Sequence, residues 1–113
     1  MKTENTFFAN IYVGFREGYG DIFHTYDEAF GLLQKYCNDV SYCVSMTPTK
    51  FIYKDGDEEG AIIGLINYPR LPSSNREVTK KAIEIAKIFL KEFDQNRISI
   101  VCSDKTYLIE DSK

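Results

Sequence analysis

Residues 40–68 read VSYCVSMTPTKFIYKDGDEEGAIIGLINY, and how this stretch divides into strands decides the class of the fold. Val40, Tyr42, Val44 and Met46 alternate with Ser41, Cys43, Ser45 and Thr47, the two-residue period of a half-buried strand. Pro48 has no N–H to donate, so it is expected to end that strand or to sit at a bulge. Phe51 and Tyr53 mark a further strand. The DGDEEG run at 55–60 has turn composition. Residues 61–68 are apolar on both faces, as a central strand requires. Strands joined by short turns form antiparallel hairpins.

Upstream, Ile11, Val13 and Phe15 alternate with Tyr12 and Gly14, which predicts a first strand over 7–15. It stops at REGYGDIFHT, residues 16–25. Thr25, Tyr26, Asp27 and Glu28 fit a capping box, so a helix is expected over 26–38, with Ala29, Phe30, Leu32, Leu33 and Tyr36 on its apolar side. Downstream, PRLPSS breaks the chain and Ser74 to Glu77 fit a second capping box. The second helix is expected over 75–93, with an apolar stripe of Val78, Ala82, Ile85, Ala86, Phe89 and Phe93. Ile83 and Leu90 form a narrower second stripe, which fits either a wide core face or a second subunit. Residues 97–102 and 107–110 read as closing strands. The expected order is β-α-β-β-β-α-β-β. That is an α+β fold, a mainly antiparallel sheet of five to six strands with two helices packed on one face. Residues 1–113 are expected to form a single ligand-binding domain, with residues 1–6 polar and disordered.

The bulk numbers narrow the function. The chain has 113 residues, a net charge of −3, 14% aromatic residues and no tryptophan. An acidic chain is a poor match for long nucleic acid, though not for a small anion held by two or three donors. Cys37, Cys43 and Cys102 lack CxxC spacing, and with one histidine they do not make a zinc set, so no metal and no cofactor is expected. They read as reduced thiols serving as small core residues. No apolar run is long enough to span a bilayer and the first residues lack a signal-peptide core, so the expected location is the cytoplasm, away from membranes. Asp55, Asp57, Glu59 and Gly60 match half of a calcium loop, but the twelfth position is Ile66.

Few residues suggest chemistry. The 16–25 segment combines Arg16, Tyr19, Phe23 and the lone histidine, His24, around two glycines, yet it matches no phosphate-binding glycine motif. A nucleophile beside His24 is not evident. INYPRLP, residues 66–72, holds Asn67, Tyr68 and Arg70 on a proline-stiffened backbone, which suits recognition. With Arg97 at the start of a strand, three arginines sit at strand ends among rings. These are the parts of a pocket for a phosphorylated, base-bearing small molecule, provided the fold brings them together.

The segment TPTKFIYKDGDEEGAIIGLINYPRLP (47–72), with IYVGFREGYG (11–20), resembles the first-described family of phage Thoeris anti-defence sponges, and the likeness spans most of the chain. The resemblance implies a protein that binds and sequesters a cyclic ADP-ribose isomer, or a cyclic oligonucleotide, without cleaving it. It implies a homodimer or higher homo-oligomer with pockets between subunits, working in the host cytoplasm. On it, Arg16 and Arg97 are expected to clamp phosphate, Asn67, Tyr68 and Arg70 to touch base or ribose, and Tyr19, Phe23 and His24 to stack on the base. No catalytic residue is expected. The rivals are a small phosphodiesterase using His24 as its base, and a protein-binding inhibitor of a host effector.

Overall fold

The computed structural model describes residues 1–111. Its elements are β1 (Phe8–Gly14), α1 (Tyr26–Val40), β2 (Ser45–Tyr53), β3 (Gly56–Ile66), α2 (Asn75–Glu92), β4 (Arg97–Cys102) and β5 (Thr106–Glu110). The strands form one sheet in the order β2-β3-β1-β4-β5, with every neighbouring pair antiparallel. β1-α1-β2 and β3-α2-β4 are two split β-α-β units, each leaving room for a strand of the other. The expected α+β class with two helices over one face stands.

Alternation explains the layers. Ala9, Ile11 and Val13 on β1, Ala61, Ile63 and Leu65 on β3, and Ile98, Ile100 and Cys102 on β4 point to one face and are buried. Helix α2 covers them with Val78, Ala82, Ile85, Ala86 and Phe89, the predicted stripe, and α1 adds Ala29, Leu33 and Tyr36. Both predicted N-caps form: the Glu28 N–H donates to Thr25 Oγ1 and the Glu77 N–H to Ser74 Oγ, each at 3.1 Å. Ile83 and Leu90 are half-buried against the core on the flank of α2.

Five expectations are corrected. The strands expected over 40–47 and at 51–53 are one strand, β2, so the order is β-α-β-β-α-β-β. Pro48 lies inside β2, opposite Ala61. β2 is the sheet's edge, where a missing N–H on the unpartnered side costs no ladder bond. Val40 ends α1, and left-handed Ser41 (φ 54°) caps it, which leaves Tyr42 and Cys43 in a loop. The turn expected over 55–60 shrinks to Lys54 and Asp55, since Tyr53 already faces Gly56. Asp55 takes the left-handed conformation (φ 63°) that its side chain tolerates. Finally, Phe30 is 53% exposed and Cys43 is exposed, so neither is core; Cys102 alone of the thiols is buried.

Candidate functional site

Register separates the predicted site residues into two groups. Phe8 pairs with Ile66 and Gly14 with Gly60, so the 16–24 turn and the 67–70 segment leave opposite ends of the sheet. At about 3.3 Å per residue these ends are roughly 20 Å apart. Arg97, at the start of β4, lies at the Arg16 end. Arg70 does not join them, so the three arginines do not share one pocket.

The 16–24 turn is braced from several sides. Arg16 and Phe23 form an isolated bridge, the Glu17 N–H donates to the Ile22 carbonyl, and the His24 N–H donates to that of Phe15. Gly18 adopts φ 48°, which a side chain would strain. The Arg16 guanidinium turns back on its own loop, Nε donating to the Gly20 carbonyl (2.8 Å) and Nη2 to that of Tyr19 (3.0 Å). Gln95, almost fully buried, donates from Nε2 to the Arg16 carbonyl (2.7 Å) and the Phe93 carbonyl (3.1 Å). Arg16 therefore holds the turn instead of presenting a free fork. Tyr19 and Phe23 project into solvent. Arg97 is exposed, opposite Glu110 in the ladder.

His24 sits between two carboxylates. Nε2 lies 2.7 Å from Glu17 Oε2 and Nδ1 lies 2.6 Å from Glu28 Oε2, and the ring stacks on Phe93 with centroids 4.1 Å apart. Desolvation by burial is the largest single influence and lowers its pKa. The hydrogen bonds and charges of Glu28 and Glu17 together outweigh it, so the net shift is upward. A ring with both nitrogens engaged and a strengthened hold on its proton is a poor general base. The imidazolium links the turn to the first turn of α1.

At the other end lies a cleft of about 390 Å³ between the α1–β2 loop and the exit of β3. Tyr42 and Cys43 form one wall; Ile66, Tyr68, Arg70 and Leu71 form the other. Asn67 does not face it. Its Nδ2 donates to the Asn5 carbonyl (3.3 Å) and its Oδ1 accepts from the Ser73 N–H (2.8 Å), so it braces the proline-rich segment. Burial raises the pKa of Tyr68, with the Cys43 side chain acting in the same sense. Burial also raises that of Tyr42. Ser73 opposes the rise without reaching hydrogen-bond geometry, which leaves the Tyr42 hydroxyl buried and unpartnered among the described residues. Both phenols thus stay neutral at pH 7. Lys81 Nζ sits 5.0 Å from the Tyr42 ring centroid. The cleft offers one cation, two neutral rings and an apolar wall. Tyr42, Cys43 and Leu71 were not singled out from sequence, because the alternation around Tyr42 reads as strand.

No protein-family model matches the chain, and no curated protein matches it. Two solved structures share its fold. One is a phage SAM lyase in the apo state, with TM-score 0.81 and 16% identity over 95% of this chain and 90% of that one. The other is a phage SAM lyase in complex with S-methyl-5'-thioadenosine, with TM-score 0.82 and 15% identity over 98% and 94%. The Thoeris sponge resemblance has no counterpart among family models or curated proteins. The expectation of a binder that performs no catalysis is overturned, because both structural neighbours are lyases.

Proposed function

We propose that this chain is a phage enzyme of the SAM lyase type, with the Tyr42–Tyr68–Arg70 cleft as its substrate site. The observation that carries the reading is the extent of the fold match, nine tenths or more of each chain, to lyases of which one holds a thioether nucleoside. The cleft supports it chemically. Its volume suits a small molecule. A SAM-like substrate carries a carboxylate for Arg70, a sulfonium that aromatic faces attract, and a base for the apolar wall.

The chemistry demanded of such a site is modest. Release of methylthioadenosine breaks the bond between sulfur and the four-carbon amino acid chain. The electron pair stays on sulfur, which becomes a neutral thioether and needs no proton. The carbon is taken by the substrate's own carboxylate oxygen, closing a lactone, so no water or co-reactant enters. The cleft's task is to hold the chain folded and the sulfonium partly desolvated. The raised pKa values of Tyr42 and Tyr68 fit neutral walls better than bases. Self-association through the open sheet face and action in the host cytoplasm belong to the same reading.

The test incubates the protein with SAM and, separately, with a cyclic ADP-ribose isomer, and follows each by mass spectrometry. Methylthioadenosine and a lactone from SAM, both lost in Arg70→Ala at unchanged melting temperature, are the expected result. SAM recovered intact overturns the reading, and retention of the cyclic ADP-ribose isomer would then turn attention to that ligand.

A further inference from the structure

A groove of about 640 Å³ runs between α2 and the β4–β5 hairpin and shares no lining residue with the proposed substrate cleft. Arg76, Lys80 and Lys87 line it from α2, and Lys105 faces them from the hairpin. Positions 76, 80 and 87 fall on one side of a helix and span about 16 Å along its axis. None of the four cations makes an ion pair among the described residues. Two carboxylates share the groove with the four cations, which leaves it net positive, and both also accept hydrogen bonds. Glu84 Oε1 accepts the Tyr36 hydroxyl at 2.7 Å, and Asp104 Oδ1 accepts the Lys105 N–H at 2.8 Å.

The groove therefore concentrates positive charge on a chain whose net charge is −3. Like charges brought together repel unless an anion joins them. The row is too long for a lone phosphate, which would meet one or two of its members. Ile83 and the Tyr107 ring supply an apolar wall within the same groove. Lys105 Nζ lies over the Tyr107 ring, 5.8 Å from its centroid, which leaves the opposite ring face for stacking. Aromatic faces stack on bases and a row of cations follows phosphates. We propose that the α2–β5 groove is a second binding site, for a nucleotide carrying two or more phosphates, with its base on Tyr107 and Ile83 and its phosphates along Arg76, Lys80, Lys87 and Lys105. The second stripe of α2 then gains a use, since Ile83 forms part of the wall. The proposal is independent of the substrate reading.

Calorimetric titration of the whole protein with ATP, inorganic triphosphate and adenosine tests it. ATP is expected to bind best, triphosphate about tenfold more weakly because the ring contact is missing, and adenosine weakest, with ATP affinity falling as salt rises. Lys80→Glu/Lys87→Glu is expected to lose ATP binding with the melting temperature kept; should it fail to fold, Lys80→Gln/Lys87→Gln replaces it. Tyr107→Leu is expected to make ATP and triphosphate equal. Absence of ATP binding to the wild type at millimolar concentration overturns the site. Binding that survives charge reversal places it elsewhere and overturns it too. Equal affinity of wild type for ATP and triphosphate overturns the nucleotide assignment.

Discussion

His24 draws its behaviour from Glu17 and Glu28, and a pH dependence follows. Its folded pKa lies above its ordinary value of 6.5. A group whose pKa rises on folding stabilises fully below its unfolded pKa, and that stabilisation is lost as pH rises through the folded value. Glu17, Glu28 and, on α2, Glu92 are the charged groups around the ring. Wild type should therefore out-melt His24→Gln by the widest margin below pH 6.5, and the margin should shrink as pH rises toward 9. Thermal melts across that range check it, and a margin that grows with pH would sink the ion-pair account. Sequence pointed to His24 but not to its partners, because Glu17 is brought in only when the turn closes. Gln95 was invisible for the same reason. A glutamine before a strand reads as surface, and only the fold aims its amide at the Arg16 and Phe93 carbonyls. Asn67 and Arg16 were found as polar residues on stiff or glycine-rich backbone, which is where braces as well as ligand contacts occur.

The β2–β3 hairpin shows how far local pattern reaches. Apolar residues on both faces of 61–68 identified a central strand, and β1 and β2 flank it, though it ends at Ile66 and leaves Asn67 and Tyr68 beyond it. Pro48 misled, because a proline's effect depends on whether the strand is central or at the edge, a property of the sheet and not of the segment. The register also fixes Gly60. A β-carbon there would lie 2.4 Å from the Val13 carbonyl oxygen and 2.4 Å from the Phe51 ring, and the carbonyl belongs to backbone that cannot swing aside. Gly60→Ala should destabilise by about 1–3 kcal/mol, the usual range for overpacking. Urea unfolding should show a lower midpoint at unchanged slope. A midpoint equal to wild type would mean that β1 and β3 yield at Gly60. The capping boxes were legible because their bonds are local. Glu28 departs from the usual pattern in one respect: its carboxylate goes to His24.

At the scale of the whole molecule the sheet has one covered face and one open one. Phe8 and Tyr12 on β1, Ile62 and Ile66 on β3, Val101 on β4 and Leu108 on β5 all point away from the helices. An antiparallel sheet with water on one side normally alternates apolar inward and polar outward; here several outward positions of the central strands are apolar, with Asn10 and Ser99 as polar breaks among them. Ile66 is 44% and Leu108 53% exposed. Exposed apolar residues grouped on one face suit an interaction surface. No helix among the described residues is long and apolar enough to cross a membrane. A second copy would bring the same rows and bury β1 and β3 on both sides. Light scattering on the eluting protein should give a mass above the 13.0 kDa of one chain. Ile62→Lys/Val101→Lys should lower that mass to a single chain while helix content by circular dichroism stays the same, since both side chains lie off the core face. Wild type eluting as one chain at tens of micromolar would remove the self-association. If the mass falls in the variant and SAM turnover falls with it, the substrate cleft is completed by the neighbouring copy; if turnover persists, one chain holds the whole site.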